Sequence, residues 1–259
     1  MAFLELRFHS DTLKMGVSVN VILPERAKTM IGMDTNASST YKTLYLLHGL
    51  SDDHTIWARR TSIERYAADY GIAVVMPEVG RSWYTDTAYG VNYFSFIADE
   101  LPRVCRGFFR GMSDKREDNL IGGLSMGGYG AIKIALSRPE VFGGCISLSG
   151  ALDFTRHDRP YLNTDIQWIF GENCTSPTQY ANSEHDVYYL TEKNHAENIP
   201  FPNMYLWCGE SDGLIEGSRK YSELLKSYDI SHLYEESEGN HSWKWWDLHI
   251  QDALKYLLG

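Results

Sequence analysis

The sequence predicts an α/β domain in which a mainly parallel, twisted sheet carries helices on both faces. Three observations lead to this prediction. Strand-like apolar runs alternate with helical segments, a glycine-rich turn joins one such run directly to a helix, and 259 residues with 43% hydrophobic content can bury one large core. Since no repeat or low-complexity linker interrupts the chain, we expect residues 1–259 to form a single domain.

The amino-terminal residues predict an antiparallel edge of this sheet. Residues 17–23 alternate apolar and polar side chains like a half-buried strand, and they can pair with residues 4–8. The later strands are predicted from short apolar runs at residues 43–47, 72–76, 119–122, 144–148, 204–208 and 232–236. Because helical segments separate these runs, the strands should be mainly parallel.

Helices are predicted at residues 62–70, at residues 93–109, directly after residue 125, from residue 216 or 218, and over residues 246–257. Thr61 and Glu64 can form a capping box before the first helix, and Gly71 can end it. Pro102 should kink or interrupt the second helix, because proline lacks an N–H group and clashes with the preceding turn.

Residues 123–127, Gly-Leu-Ser-Met-Gly, place a serine between two glycines where a strand meets a helix. Such a turn is so tight that only residues without side-chain bulk fit beside the serine, which is the form of a nucleophile elbow. A second match, residues 209–213, is followed by the bulky Leu214 instead of small residues. We therefore predict that Ser125 is the nucleophile, and that Ser211 lies in a strand-ending turn that supplies an acid.

A serine hydroxyl needs a base to take its proton and an acid to orient that base. In folds with a nucleophile elbow, the acid follows the serine in the sequence, and the histidine follows the acid. Asp212 lies in the turn after a buried strand, and His241 lies in a glycine-rich loop after the last predicted strand. We predict a triad of Ser125, Asp212 and His241, with Asp153 and Asp186 as less well placed alternatives for the acid.

Acyl transfer also requires N–H groups that stabilise the developing oxyanion. One donor is expected from the backbone of Met126, directly after the nucleophile. The other should lie after an early strand, where His48, Gly49 and Leu50 follow one another. We assign it to the Leu50 backbone, with Gly49 as the alternative, although a His-Gly pair also occurs in ordinary strand-ending turns.

Large aromatic residues occur in loops on the predicted side of the site. We predict that Trp57, Trp83, Tyr84 and Trp243 contact substrate and, with Tyr89, narrow the acyl pocket; the alternative is that they pack in the core. The chain offers no long apolar lid helix for an oil interface. We therefore expect acetyl to butyryl groups to be preferred over chains longer than about six to eight carbons.

The alternation of strands and helices fails over residues 152–200. This stretch is polar and aromatic, shows no convincing strand and is long for a plain connection. We expect a small cap over the mouth of the site. The alternative is a surface segment that forms a contact between copies of the chain. The triplets 156–158 and 184–186 should be exposed polar loops, since adjacent side chains do not converge on one metal ion.

Four sequence blocks together resemble the esterase D family of α/β-hydrolases: residues 47–53 with Trp57, residues 82–86, residues 122–128, and the tryptophan-rich stretch after His241. They occur in the family's order, and the likeness covers nearly the whole chain. Within the family, the chain is most similar to bacterial tributyrin esterases, which themselves resemble S-formylglutathione hydrolases, some feruloyl and acetylxylan esterases, and mycolyltransferases.

The resemblance implies an α/β-hydrolase fold, a carboxylesterase for short acyl groups without a cofactor, and the triad already placed on this chain. It does not fix the role of the polar loop at residues 26–41. A non-catalytic binding protein of the same fold is the alternative of another class, but such proteins usually lose a triad member and none is missing here. Oxygen esters, acetylated carbohydrates and S-formylglutathione are not separated by these residues, because the same chemistry serves all three.

The net charge of -10 argues against nucleic acid or an anionic membrane surface as a partner, since both require clustered Lys and Arg. Cys145 and Cys208 fall in predicted strands, and no Cys-x-x-Cys motif occurs. Charged residues near the amino terminus leave no room for a signal peptide, and no run of about 18 apolar residues predicts a membrane span. These features favour a cytoplasmic protein that acts on a small-molecule ester and leave self-association open.

Overall fold

The structure is a computed structural model that describes residues 1–25 and 38–259, so residues 26–37 of the polar loop lie outside the described residues. The described strands are β1 Ala2–Ser10, β2 Met15–Leu23, β3 Thr43–Leu47, β4 Ala73–Pro77, β5 Asn119–Leu124, β6 Gly144–Leu148, β7 Asn203–Gly209 and β8 His232–Ser237. They form one sheet in the order β1-β2-β4-β3-β5-β6-β7-β8.

The sheet is parallel except at its amino-terminal edge. β1 pairs with β2, and β2 with β4, in antiparallel register. All neighbouring pairs from β4 to β8 are parallel. The exposure of β1 alternates along the strand, whereas β3 to β6 are buried on both faces, as parallel strands under helices are. The predicted sheet and its antiparallel edge are confirmed.

The described helices are α1 Ile56–Arg60, α2 Ile63–Tyr70, α3 Tyr93–Ser95, α4 Leu101–Phe108, α5 Met126–Ser137, α6 Asn163–Phe170, α7 Val187–Ala196, α8 Ile215–Ser227 and α9 Trp243–Leu258. They cover both faces of the sheet: α1, α2 and α9 pack with Leu44 and Leu46 of β3, whereas α4, α5, α7 and α8 belong to the core cluster that contains Tyr45 and Leu47. None of these described helices is both long and apolar enough to cross a membrane.

The predicted capping box of α2 does not form. The helix begins one residue later than a box on Thr61 would require, with Ser62 at the N-cap, so Glu64 occupies the second helical position instead of the third. The Thr61 hydroxyl instead accepts a hydrogen bond from the Ile63 N–H at 3.1 Å. Gly71 ends the helix in the left-handed conformation, with φ of 63°, as predicted.

The predicted interruption at Pro102 is confirmed and takes the form of a π-helical turn. Residues Phe96–Glu100 are wound as a π-helix between α3 and α4, and Pro102 follows in the first turn of α4. A π turn shifts the hydrogen-bond pattern from i→i+4 to i→i+5, and it can therefore accommodate a residue that donates no hydrogen bond.

Residues 152–200, all of which the structure describes, contain α6 and α7 and no strand. The segment packs against the helix that follows Ser125. The Tyr129 hydroxyl of α5 donates to the His185 carbonyl at 2.6 Å, and the Phe154 ring stacks on Trp83 with 3.9 Å between ring centroids. These contacts hold the segment against the carboxyl-end loops of the sheet.

Candidate active site

Ser125 stands at the junction of β5 and α5, in the strained conformation that an elbow requires. Its φ of 53° and ψ of -117° lie in a region that side-chain-bearing residues rarely adopt. Two backbone hydrogen bonds hold this geometry: the Ser125 N–H donates to Leu148 O at 3.0 Å, and Ser125 O accepts from Ala151 N at 3.2 Å. The hydroxyl is thereby held at the carboxyl end of β5.

Two glycines make this turn sterically feasible. A Cβ on Gly123 would lie 2.7 Å from the Gly127 carbonyl carbon, and a Cβ on Gly127 would lie 2.6 Å from the Leu47 carbonyl oxygen. Real side chains do not approach backbone atoms so closely. The pattern of small residues that singled out Ser125 in the sequence therefore reflects a close approach of α5 to the ends of β5 and β3.

The structure brings Ser125, Asp212 and His241 together. His241 Nε2 lies 3.0 Å from Ser125 Oγ, and His241 Nδ1 lies 2.9 Å from Asp212 Oδ2. Asp212 comes from the turn after β7, and His241 from the loop between β8 and α9. All three side chains leave the carboxyl edge of the sheet, which is why three positions far apart in sequence meet.

The electrostatic environment favours an ionised Asp212. Burial alone would raise the pKa of this carboxyl group, but hydrogen bonds from His241, the Leu214 N–H and Ser149, with the charge of His241, outweigh it and lower the pKa. A carboxylate only accepts hydrogen bonds, so the His241 Nδ1 carries the proton. Nε2 is then free to accept the proton of the Ser125 hydroxyl.

The loop that follows β3 is fixed by hydrogen bonds on both sides. His48 is buried; its Nδ1 donates to Gly49 O at 2.7 Å, while its Nε2 accepts from the Val79 N–H at 3.2 Å. The Tyr84 hydroxyl donates to His48 O at 2.9 Å. This network fixes the backbone next to Leu50, which lines the pocket at Ser125. The assignment of the Leu50 and Met126 N–H groups to an oxyanion hole stays a prediction.

Two pockets flank Ser125 in the part of the chain that the structure describes. One, of about 380 Å³, is lined by Leu50, Trp83, Ser125, Ala151, Arg159, Tyr161, Asp212, Gly213, Leu214 and His241. The other, of about 460 Å³, is lined by Gly49, Leu50, Ser51, Asp52, Leu124, Ser125, His241, Ser242, Trp243 and Trp246. An ester carbonyl at Ser125 would thus have room for one substituent on each side.

The predicted aromatic residues divide into two groups. Trp83 and Trp243 each line one of the two pockets. Trp57 and Tyr84 do not fit the prediction of substrate contact, since they are only 1% and 0% exposed. The Trp57 indole N–H donates to Leu47 O at 2.9 Å, so both residues support the loop after β3 from within the core. Tyr89 is 59% exposed and lines neither pocket.

The alternative acids make other contacts. Asp153 pairs with Arg159 at 2.6 Å, and Asp186 caps α7 and pairs with Arg156 at 2.7 Å. The triplet 156–158 is exposed as predicted. The triplet 184–186 is not an exposed loop, because Asp186 is fully buried under its ion pair and its His neighbour is largely covered.

Sequence reasoning missed several residues of the site, namely Ser149, Arg159, Tyr161, Leu214 and Trp246. Ser149 directly follows β6, and the strand-end argument that located Asp212 would have found it too. Leu214 follows the turn of Asp212, and Trp246 lies in the tryptophan-rich stretch after His241, so both lay next to predicted features. Arg159 and Tyr161 carried no comparable signal, because they lie in the long connection without strands.

The chain is similar to known esterases over nearly its whole length. The model of the esterase family, described as "Putative esterase", matches residues 10–257. An acetyl esterase of Caldicellulosiruptor saccharolyticus is 32% identical over 267 residues, which cover 99% of this chain and 98% of the relative.

Solved structures give the same result. The fluorophosphonate-binding serine hydrolase F of Staphylococcus aureus superposes with a TM-score of 0.85 and 35% identity, covering 100% of this chain and 98% of the other. An S-formylglutathione hydrolase of the same organism gives 0.84 and 34%, covering 100% and 99%. A ferulic acid esterase at 19% identity and a TM-score of 0.78 shares the fold.

Proposed function

This chain belongs to the esterase family and is a carboxylic ester hydrolase of the α/β-hydrolase fold, and we propose that it hydrolyses short-chain acyl esters through an acyl-enzyme on Ser125. The observation that carries the proposal is the continuous hydrogen-bonded line from Ser125 Oγ through His241 to Asp212, with distances of 3.0 and 2.9 Å. Nucleophile, base and orienting acid in such contact form the machinery of serine hydrolysis.

In the first half of the reaction, Ser125 Oγ attacks the ester carbonyl while His241 Nε2 takes the hydroxyl proton. The carbonyl oxygen becomes an oxyanion, which the Leu50 and Met126 N–H groups would stabilise. Collapse of the tetrahedral intermediate breaks the bond to the alcohol, and the His241 imidazolium protonates the leaving oxygen. Asp212 stabilises the imidazolium throughout, because its lowered pKa keeps it ionised.

In the second half, His241 removes a proton from water, and the resulting nucleophile attacks the acyl carbon on Ser125. The second tetrahedral intermediate collapses to the carboxylic acid, and the serine recovers its proton from His241. Every proton transfer uses a side chain of this site, so the proposed chemistry needs no cofactor.

The proposed substrates carry acetyl to butyryl groups, as in tributyrin or O-acetylated carbohydrates. The relative named acetyl esterase, which covers 99% of this chain, supports the acetyl end of this range. The relation to an S-formylglutathione hydrolase at 34% identity favours thioester hydrolysis as a second candidate.

We also propose that residues 152–200 act as a cap, because Arg159 and Tyr161 from this segment line the pocket at Ser125.

A substrate panel with two serine variants tests the proposal. Purified protein would be assayed on p-nitrophenyl acetate, tributyrin, an acetylated xylo-oligosaccharide and S-formylglutathione. Ser125→Ala should lose roughly 10⁶ in turnover, as nucleophile loss does in serine hydrolases, whereas Ser211→Ala should keep most activity because it changes only a turn. Retention of more than a small percentage by Ser125→Ala would overturn the assignment. A higher kcat/KM on S-formylglutathione than on every oxygen ester would favour the second candidate.

A further inference from the structure

A third pocket lies away from Ser125 and shares no described lining residue with the two pockets of the active site. It measures about 480 Å³ and opens between the carboxyl-terminal half of α5, α7 and the residues after β4. Its described lining includes Asp86, Lys133, Leu136, Glu184, Leu190 and Ile199. The proposed esterase mechanism uses none of these residues.

Lys133 is the unusual member of this lining. It is 2% exposed, and its Nζ donates to Thr85 Oγ1 at 2.6 Å. The other contacts of the ammonium are the faces of Phe94 and Tyr129, with ring centroids at 5.5 and 5.3 Å. Among residues 1–25 and 38–259, no carboxylate oxygen lies within 4.0 Å of Lys133 Nζ, so Lys133 forms no ion pair there. In the part of the chain that the structure describes, this buried ammonium with three N–H donors thus has one hydrogen-bond acceptor, which is a costly arrangement.

The charged neighbours already have partners or remain in solvent. Asp86 accepts hydrogen bonds from the N–H and the hydroxyl of Ser95, at 2.9 and 2.6 Å. Arg138 forms a two-pronged pair with Asp99 at 2.7 and 2.9 Å. Glu184 has an exposed side chain. Among the described residues of this pocket, Lys133 is therefore the buried cation that forms no direct ion pair, and the charges of Asp86 and Glu184 act on it only from a distance.

The rest of the pocket decides what kind of anion would fit. Leu136, Leu190 and Ile199 give it apolar walls next to the ammonium. Asp86 and Glu184 repel any negative charge on a ligand, and Lys133 can offset only one, which disfavours phosphates and dicarboxylates most. A ligand with one negative charge and an apolar remainder satisfies both conditions.

We propose that this pocket is a second binding site, for a small monocarboxylic acid with an apolar chain or ring. The carboxylate accepts hydrogen bonds from Lys133 Nζ, and the carbon chain packs against Leu136, Leu190 and Ile199. A charge-assisted hydrogen bond in a buried site and the burial of apolar surface supply the affinity. The acid can be the product of the esterase reaction or an unrelated acid of the same chemistry, and the ligand series below distinguishes the two.

The protonation of Lys133 gives the site a pH dependence. Burial lowers the pKa of Lys133 to about 7, against the opposing charges of Asp86 and Glu184. His185, Arg138 and Lys193 also face the pocket; burial lowers the pKa of His185 to about 3, so this ring is neutral above that pH. A carboxylate binds the protonated amine, so affinity should be highest below pH 7 and fall by about tenfold for each pH unit above it.

Calorimetric titration of the 259-residue protein tests the proposal. Sodium acetate, butyrate, hexanoate and benzoate would be titrated at pH 6.5 and 8.5, with butanol and butylamine as uncharged and cationic controls. We expect saturable binding that strengthens from acetate to hexanoate, and Lys133→Met should weaken it by about tenfold to a hundredfold. Preference for the acid released from the best ester substrate would identify the product as the ligand, and stronger binding of benzoate would indicate an unrelated acid.

Two further variants make the result specific to the pocket. Leu190→Trp keeps the ammonium but fills the cavity, so it should also lose binding, whereas Lys193→Met removes an exposed cation from the rim and should retain it. Unchanged affinity in both Lys133→Met and Leu190→Trp would overturn the proposal, even if the acids bound elsewhere. Absence of saturable binding by the wild type would overturn it as well and leave Lys133 a structural residue.

Discussion

Asp212 shows how neighbouring groups set the protonation state of one buried carboxyl group. We predict that Asp212→Asn lowers kcat by about 10⁴, because the amide no longer holds His241 in the tautomer that accepts a proton at Nε2. Asp153→Asn is the matched control: its carboxylate pairs with Arg159 and His157 instead, so kcat should change by less than about tenfold. Initial rates on p-nitrophenyl acetate measure both effects. Equal losses would contradict the assignment of the acid.

Lys133 provides a prediction about stability that is separate from ligand binding. Its folded-state pKa of about 7 lies below the ordinary lysine value. Below pH 7 both the folded and the unfolded protein carry the charge, and the folded state bears the full cost of burying it. Between about pH 7 and 10.4 the folded amine is neutral while the unfolded one is charged, so the stability of the wild type rises with pH.

We therefore expect Lys133→Met to be more stable than the wild type at pH 7, by a few kcal/mol, on the order of the pKa displacement. This difference in the free energy of unfolding should narrow as pH rises to about 10, because the wild type gains stability with pH while methionine does not titrate. Urea unfolding of both proteins at pH 7, 8.5 and 10 measures it. A difference that stays constant with pH would show that the ammonium is charged in the folded protein throughout.

The burial of Trp57 and Tyr84 marks a limit of sequence reasoning for single residues. Their positions after strand ends correctly indicate the active-site side of the sheet. Position after a strand end does not determine whether a side chain points outward or back into the core, however, and Trp57 lies in α1 instead of the predicted loop. Here the indole N–H of Trp57 and the hydroxyl of Tyr84 find backbone carbonyl partners inside, at 2.9 Å in each case, which makes their burial favourable.

At the level of elements, the elbow depends on backbone contact between α5 and β3. We predict that Gly127→Ala lowers both stability and activity, because the new methyl group would meet the Leu47 carbonyl oxygen at 2.6 Å. Displacement of this backbone costs about 1–3 kcal/mol and moves the loop that carries Leu50. Urea midpoints and kcat/KM would be measured together.

Gly107→Ala is the control for this substitution. Gly107 lies in α4 and is exposed, and a methyl group added there would meet no described atom within 4 Å beyond its chain neighbours and its own helix backbone. Alanine should therefore stabilise the helix by about 0.5–1 kcal/mol without changing activity. Loss of activity in both variants, or in neither, would contradict the view that the close approach at Gly127 matters for catalysis.

The strands can be predicted closely from the sequence, and the helices of residues 152–200 cannot. A buried parallel strand such as β3 or β6 is a continuous apolar run, and its predicted bounds agree with the structure to the residue. The buried side of α7 instead contains Thr191 and Asn194. Thr191 Oγ1 donates to Val187 O, and Asn194 Nδ2 donates to Leu136 O at 2.7 Å. Sequence prediction depends on apolar residues that recur at the helical period. In α7, buried polar residues with hydrogen-bond partners take some of these positions, so the period is not visible in the sequence.

For the molecule as a whole, the parallel sheet explains why the triad could be predicted. The carboxyl ends of parallel strands meet at one edge, so the turns after β5, β7 and β8 had to converge. The pocket walls could not be predicted in the same way. Arg159 and Tyr161 reach Ser125 from a long connection, and no rule of sheet geometry fixes where such a segment folds back.

The two pockets beside Ser125 predict how specificity is divided between the two halves of an ester. Their described linings share Leu50, Ser125 and His241 and otherwise differ. A substitution in one wall should therefore change preference for one half of the substrate. We predict that Trp83 limits the acyl chain and Trp243 the alcohol. Trp83 is held in place by its stacking on Phe154, so it forms a rigid end to its pocket.

Two chain-length series test this division: p-nitrophenyl esters with acyl chains from C2 to C12, and acetate esters of alcohols of increasing length. Wild-type kcat/KM should fall beyond about six to eight acyl carbons, because each excluded methylene loses roughly 0.8 kcal/mol of burial. Trp83→Ala should extend the acyl range and leave the alcohol series unchanged, and Trp243→Ala should do the reverse. A wild-type kcat/KM that stays constant up to C12 would refute a narrow acyl pocket. If Trp83→Ala changed only the alcohol series and Trp243→Ala only the acyl series, the roles of the two pockets would be exchanged.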